Sequence, residues 1–115
     1  MNCVSGMEQI EITCGATPTI SSDLPDGVTP DMISQGWFTI KQAYSGKPIL
    51  DIGDLTYDNE ENTASAHLTQ EQTFKLKPKV ETMIQSTFLT RDGERYVSHP
   101  CYVTVRPSYK EEVLT

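Results

Sequence analysis

From Val80 to Thr90 the chain alternates without a break. Val80, Thr82, Ile84, Ser86 and Phe88 fall on one side, and Glu81, Met83, Gln85, Thr87 and Leu89 on the other. Successive side chains of a β-strand leave opposite faces, so a run of this kind specifies a strand with two unlike surfaces. It is incompatible with an amphipathic helix, whose apolar positions recur every three or four residues. Asp92-Gly93 follows, a strong hairpin signal. A second β-rich run then returns from Tyr96 to Val105 with Cys101, Val103 and Val105 on one face. Pro100 lies inside it and lacks the N–H of a ladder donor, which predicts an edge strand or an interruption near its start.

The rest of the chain repeats this pattern on a smaller scale. Val, Ile and Thr make up 29 of 115 residues and Ala only four, a composition suited to strands and poor in the best helix former. Met7–Cys14 predicts a strand with Ile10, Ile12 and Cys14 buried. Thr17–Ile20 is β-prone, and Pro18 suits an edge or a strand start. Residues 23–36, with Pro25, Asp26-Gly27, Pro30 and Gly36, predict a turn-rich loop holding one helical turn at Thr29–Ile33. Trp37–Tyr44 and Pro48–Ile52 predict a hairpin across Ser45-Gly46-Lys47, followed by Leu55–Tyr57 and by Thr63–Leu68 with Ala64, Ala66 and Leu68 on one face. Thr69-Gln70-Glu71-Gln72 is a capping-box pattern that predicts a short helix over 70–75, closed by Pro78. Seven or eight short strands, turns about every ten residues and no helix of three turns specify an all-β sandwich, with a small barrel as the alternative. A chain of this length is one domain, read here as a flexible terminus over 1–6, a domain over 7–106 and a tail over 107–115. Phe38, Ile40, Leu68, Ile84, Phe88, Val103 and Val105 form the expected core.

Charge and composition narrow the functional classes. The formal net charge of −7 argues against nucleic acid as a partner, and no apolar run approaches the ~20 residues of a membrane span. The first residues, Met1–Gly6, carry neither a basic region nor an apolar stretch, so the expectation is a chain made in the cytoplasm. Cys3, Cys14 and Cys101 form no C-x-x-C pair and no disulfide framework. Cys101 reads as a core residue, with a Cys14–Cys101 bridge as the alternative. His67 and His99 lack a ligand cluster around them. Asp51, Asp54, Asp58, Glu60 and Glu61 hold most of the net charge, but without the spacing of a calcium loop they read as a solvated segment. No catalytic constellation is present, and no cofactor is expected.

Trp37, the sole tryptophan, admits two readings: a core residue, or a rim residue at a protein interface or on a sugar-binding face. Trp37, Thr39 and Lys41 share the side of their run opposite Phe38 and Ile40. Pro18 and Pro100 blunt other edges, which leaves the Trp37–Tyr44 and Pro48–Ile52 ribbon as the less protected side. Trp37, Thr39 and Lys41 are therefore the candidate interface residues.

Thr17–Ile20, Phe38–Gln42, Leu68-Thr69-Gln70-Glu71-Gln72-Thr73, Val80 through Gly93 and the ending Lys110–Leu114 together resemble a family of small prophage-encoded proteins of Firmicutes. The Leu-Thr-Gln-Glu-x-Thr element before a long strand and an Asp-Gly hairpin is the most specific part of the resemblance, which spans about residues 8–114. The chain departs from the pattern at Pro100 and in its polar 86–91 stretch. The resemblance implies an immunoglobulin-like antiparallel β-sandwich, similar to the N-terminal domain of phage baseplate upper proteins. It further implies a virion structural protein whose partners are other phage structural proteins or a second copy of itself. The alternative is a sandwich that binds carbohydrate or calcium in a surface or secreted assembly.

Overall fold

The computed structural model describes residues 10–110. The expectations for 1–6, the start of the first strand at Met7–Gln9, Cys3 and the ending after Lys110 lie outside the described residues. The described residues form nine strands: β1 (Ile10–Thr13), β2 (Thr19–Asp23), β3 (Ile33–Gln42), β4 (Leu50–Ile52), β5 (Thr56–Asp58), β6 (Thr63–His67), β7 (Thr82–Thr90), β8 (Arg95–Val97) and β9 (Cys101–Arg106). One helix, α1, spans Gln70–Phe74, and a 3-10 turn spans Pro30–Met32.

The strands form two packed sheets. The larger has the order β1–β9–β7–β3–β4, with β8 also on β7. The smaller has the order β2–β6–β5. Reading β2, β3, β5, β6, β7 and β9 as strands B to G, one sheet is B–E–D and the other G–F–C, extended by β4 and β1. This is the immunoglobulin arrangement of a β-sandwich. Every pairing is antiparallel except β1 with β9, where Ile10 faces Val103 and Ile12 faces Val105 in parallel register. The alternating pattern marks both strands but carries no information on their relative direction.

The alternation of β7 is realised residue by residue. Thr82, Ile84, Ser86, Phe88 and Thr90 are buried, while Met83, Gln85, Thr87 and Leu89 are half-buried on the outer face. All seven expected core residues are buried, together with Ile10, Ile12, Ile20, Leu24, Val28 and Leu76. The return strand divides into β8 and β9 at Ser98–Pro100, as the missing proline donor demands, which raises the strand count to nine. Ser98 bridges the gap: its hydroxyl accepts from the Ser86 N–H at 2.9 Å.

The capping box forms in full. Thr69 Oγ1 accepts from the Gln72 N–H at 3.2 Å, and Gln72 Oε1 accepts from the Thr69 N–H at 2.9 Å. Thr73 of α1 is completely buried. Its hydroxyl accepts from the Gly15 N–H and donates to the Ala16 carbonyl, each at 2.9 Å, which ties the helix to the β1–β2 turn. No disulfide joins Cys14 to Cys101. Both are buried, and the Cys14 thiol donates to the Leu76 carbonyl at 3.2 Å.

Two expectations need correction. The 23–36 loop is shorter than its turn residues suggest, because β2 runs to Asp23 and β3 begins at Ile33. Gly36 does not break the chain. It lies buried within β3, just after a register shift between Ile33 and Gln35. A methyl group at Gly36 would sit 2.6 Å from the Tyr57 hydroxyl and 2.9 Å from Phe88 Cδ1, so the glycine serves close approach between the sheets. In the Trp37–Tyr44 and Pro48–Ile52 ribbon, Phe38–Ile40 is paired on both sides, with β7 and with the three-residue β4, while the register pairs Trp37 with β7 alone, and β4 is the edge of the sheet there.

Two stability outcomes follow from this packing. Phe88→Ala is expected to cost about 3–5 kcal/mol in urea unfolding, since the site is closed by both sheets. Gly36→Ala is expected to cost about 1–3 kcal/mol through overpacking against Tyr57 and Phe88. A change under about 0.5 kcal/mol in either, within the range of ordinary surface substitutions, would refute the packing described.

Candidate functional site

The larger sheet turns one face to the core and leaves the other uncovered by any described element. Its outer face follows from register. Trp37 lies opposite Thr87, and Thr87 opposite Val97. Leu89 lies opposite Arg95, Lys41 opposite Met83, Met83 opposite Tyr102, and Thr39 opposite Asp51. Trp37, Thr39 and Lys41 thus form one file along β3, as the alternation predicts. Trp37 is neither a core residue nor fully exposed. It is half-buried on this outer face, and a methyl at Gly53 would come within 3.2 Å of its indole. Gln35 Nε2 donates to the Gly53 carbonyl at 2.9 Å and holds that segment against the ring.

Around Trp37 the face is hollowed. Trp37, Thr39, Asp51, Thr87, Leu89 and Arg95 line a depression of about 300 Å³. Lys41 stands further along the same file and is exposed. The Thr39 hydroxyl donates to Asp51 Oδ1 at 2.8 Å, which fixes the carboxylate at the β4 flank. Arg95 supplies the opposite charge at the β8 flank. Val97, 50% exposed, and Tyr102, 65% exposed, continue the apolar surface. At the far corner Arg106 bonds Glu11 at 2.8 Å. That hydrogen bond and the charge behind it hold the Glu11 carboxyl below its ordinary range and raise Arg106.

The sequence singled out Trp37, Thr39 and Lys41 but not Thr87, Leu89, Asp51 or Arg95. The signal was available in part. Thr87 and Leu89 share the outer side of the β7 alternation, while their position beside Trp37 depends on the β3–β7 register, which the sequence does not print.

Other sites are weaker. A cleft of about 430 Å³ opens at the side of the sandwich between Ser22, Leu24, Ser86, Phe88, Tyr96 and Ser98. Two of its hydroxyls are engaged within the chain: Ser22 donates to the Asp23 carbonyl, and Ser98 donates to the His99 carbonyl. The acids of Asp51–Glu61 do not converge. Asp51 is held by Thr39, and Asp58 accepts the Glu60 and Glu61 amides at 2.9 and 3.2 Å. Among the described residues no group of three or more His, Cys, Asp or Glu side chains is placed to hold a metal ion. His67 is exposed, with Nδ1 3.0 Å from the Thr19 hydroxyl, and His99 is exposed near Pro100. No helix among the described residues is long and apolar enough to cross a membrane. No protein-family model matches the chain, and no curated protein matches it either.

An outer-face tryptophan contributes less to folding than a core aromatic. Trp37→Ala is expected to cost no more than about 2 kcal/mol, below the Phe88→Ala value, because part of the ring is already hydrated. In the same experiment acrylamide should quench the single tryptophan of the native chain. A cost of about 4 kcal/mol with no quenching would place the ring in the core instead.

Proposed function

We propose that this domain is a structural component of a phage or prophage particle, of tail or baseplate type, that acts through protein–protein contacts and performs no catalysis. The observation that carries the contact reading is the outer face of the larger sheet. It sets Trp37, Leu89, Val97 and Tyr102 among Thr39, Gln85 and Thr87, with Asp51, Lys41 and Arg95 around them, and aromatic residues and Arg are enriched at protein interfaces. Trp and Tyr are also the residues that most often carry binding energy. The particle setting is supported by the resemblance of residues 8–114 to small prophage-encoded proteins, with the capped α1 and the β7–β8 hairpin as its most specific parts. On this reading the partners are other phage structural proteins, and the chain resides in the virion, or in the host cytoplasm during assembly.

Particles purified by density gradient after induction of the strain that carries this gene are expected to contain the chain in a fixed ratio to other structural proteins by mass spectrometry. A chain recovered only from the soluble lysate would overturn the reading.

A further inference from the structure

We propose that the cleft at the side of the sandwich is a binding site for an uncharged sugar ring. This does not depend on the contact reading above. The cleft owes its room to two serines. Ser22 of β2 and Ser86 of β7 take inward positions on the two facing sheets, on the same side of their strands as Ile20 and as Ile84 and Phe88, and both are buried. Packed sheets stand about 10 Å apart, and two serines leave open a gap that two large side chains would close. The space is about 430 Å³, within the roughly 300–1,000 Å³ of small-ligand sites.

Ser86 supplies the second observation. It is 1% exposed. Its backbone N–H donates to the Ser98 hydroxyl and its carbonyl accepts the Ser98 N–H, each at 2.9 Å, but its own hydroxyl has no partner in the chain. The other buried polar residues described, Ser22, Gln42, Thr73, Thr82 and Thr90, all bond through their side chains. No side-chain oxygen sealed from solvent lacks a partner among the described residues, so the Ser86 Oγ is the atom that opens into the cleft. An alanine would serve the core better, since an unpaired hydroxyl there is a net cost. A ligand that bonds the hydroxyl gives it a reason.

The lining selects the class of ligand. Phe88 and Tyr96, opposite each other across β7 and β8, form an apolar wall with Leu24. The Ser86 hydroxyl can donate and accept. Those of Ser22 and Ser98, whose protons go to backbone carbonyls, can each still accept. Asp23 and Asp26 are the exposed acids of the lining, and no cationic side chain is among its described residues. An anion would meet carboxylates without a counter-charge, on a chain of net −7. A cation drawn inside would find neutral hydroxyls and apolar walls, with no charge to pair it. A purely apolar ligand would leave Ser86 unpaired. An uncharged ring whose hydroxyls donate and accept, and whose C–H groups face the aromatic wall, suits all these surfaces. A pyranose is such a ring, and its outward hydroxyls can donate to the carboxylates.

Amide NMR of the isotope-labelled full chain tests this. The probes are the methyl glycosides of glucose, galactose, N-acetylglucosamine and rhamnose, each titrated to about 50 mM, well past the millimolar affinity expected of one ring in an open cleft. At least one is expected to shift the amides of Ser22–Leu24, Ser86–Phe88 and Tyr96–Ser98 saturably, while methylammonium and inorganic phosphate do not. Ser86→Ala should weaken that binding about three- to tenfold, the worth of one neutral hydrogen bond. Its urea midpoint should not fall, because the lost hydroxyl bonds nothing in the free chain. A serine that merely supports the fold would give the reverse, a lower midpoint with binding unmoved, and that result overturns the proposal, as does a Ser86→Ala chain that fails to fold. Glycosides that leave the cleft amides unshifted in the native chain overturn it without any variant. So do shifts there produced by methylammonium or phosphate and by no glycoside.

Discussion

The antiparallel pairing of β3 with β7 is the constraint on which the rest of the molecule depends. It runs from Gln42 opposite Thr82, through Trp37 opposite Thr87, to Ile33 opposite Thr90. Side chains alternate with period two, so a slip of one residue would exchange every inner residue for an outer one. If β3 slipped, Phe38 and Ile40 would leave the core for Trp37 and Lys41; if β7 slipped, Ile84 and Phe88 would leave it for Met83 and Leu89. Both ends of the pairing are pinned by polar side chains. At one end the Asp92 carboxylate accepts from the Thr90 hydroxyl, which lowers its pKa, and Gly93 takes the positive φ that closes the hairpin. At the other end the buried Gln42 amide donates to Thr82 Oγ1 at 2.9 Å.

Gln42 also joins this pairing to the closure of the sandwich. Its Nε2 donates to the Lys77 carbonyl and its Oε1 accepts the Lys77 N–H, both at 2.9 Å. The segment after α1 is thereby held against the end of β3 as a strand neighbour would be, but by a side chain. Thr73 does the same for the β1–β2 turn from the other side of the helix. These two residues are fully buried, and their hydrogen-bonding groups are satisfied, so they fix where α1 sits without leaving an unpaired polar group in the core. The helix is too short to be stable alone. Its cap starts it, and its tertiary hydrogen bonds keep it.

How much of this is legible in the sequence depends on range. Local signals succeeded. The Thr69–Gln72 box, the Asp92-Gly93 turn, the break at Pro100 and the inner residues of β6, β7 and β9 all follow from spacing within a few residues. Features that arise between strands were not legible. The parallel pairing of β1 with β9 leaves no mark that differs from an antiparallel one. Gly36 reads as a loop residue because a glycine that admits Tyr57 from the facing sheet looks the same in sequence as a glycine that turns the chain. Gln42 shares the inner parity of Phe38 and Ile40, so its burial was implied, while its partner Lys77 was not. The candidate site divides in the same way. Trp37, Thr39 and Lys41 lie on one strand and were found together, whereas Asp51, Leu89 and Arg95 join them only through register.

The two outer faces of the sandwich provide the remaining argument. Folding demands apolar residues on the inner faces and places no such demand on the outer ones. The outer face of the smaller sheet obeys that freedom: Thr19 pairs with His67, Ser21 with Ser65, Thr56 with Ser65, and Asp58 with Thr63, a surface of hydroxyls and polar groups suited to water. The outer face of the larger sheet, built from the same alternation, instead carries Trp37, Met83, Leu89, Val97 and Tyr102. Core packing does not explain this difference, because none of these side chains lies between the sheets. Edge protection does not explain it either, because Trp37, Met83 and Leu89 stand on β3 and β7, neither of which is an edge strand. Apolar surface left partly in water costs solubility, whatever it adds to packing along the sheet. That unequal distribution between the two outer faces is the feature on which the proposed contact role rests.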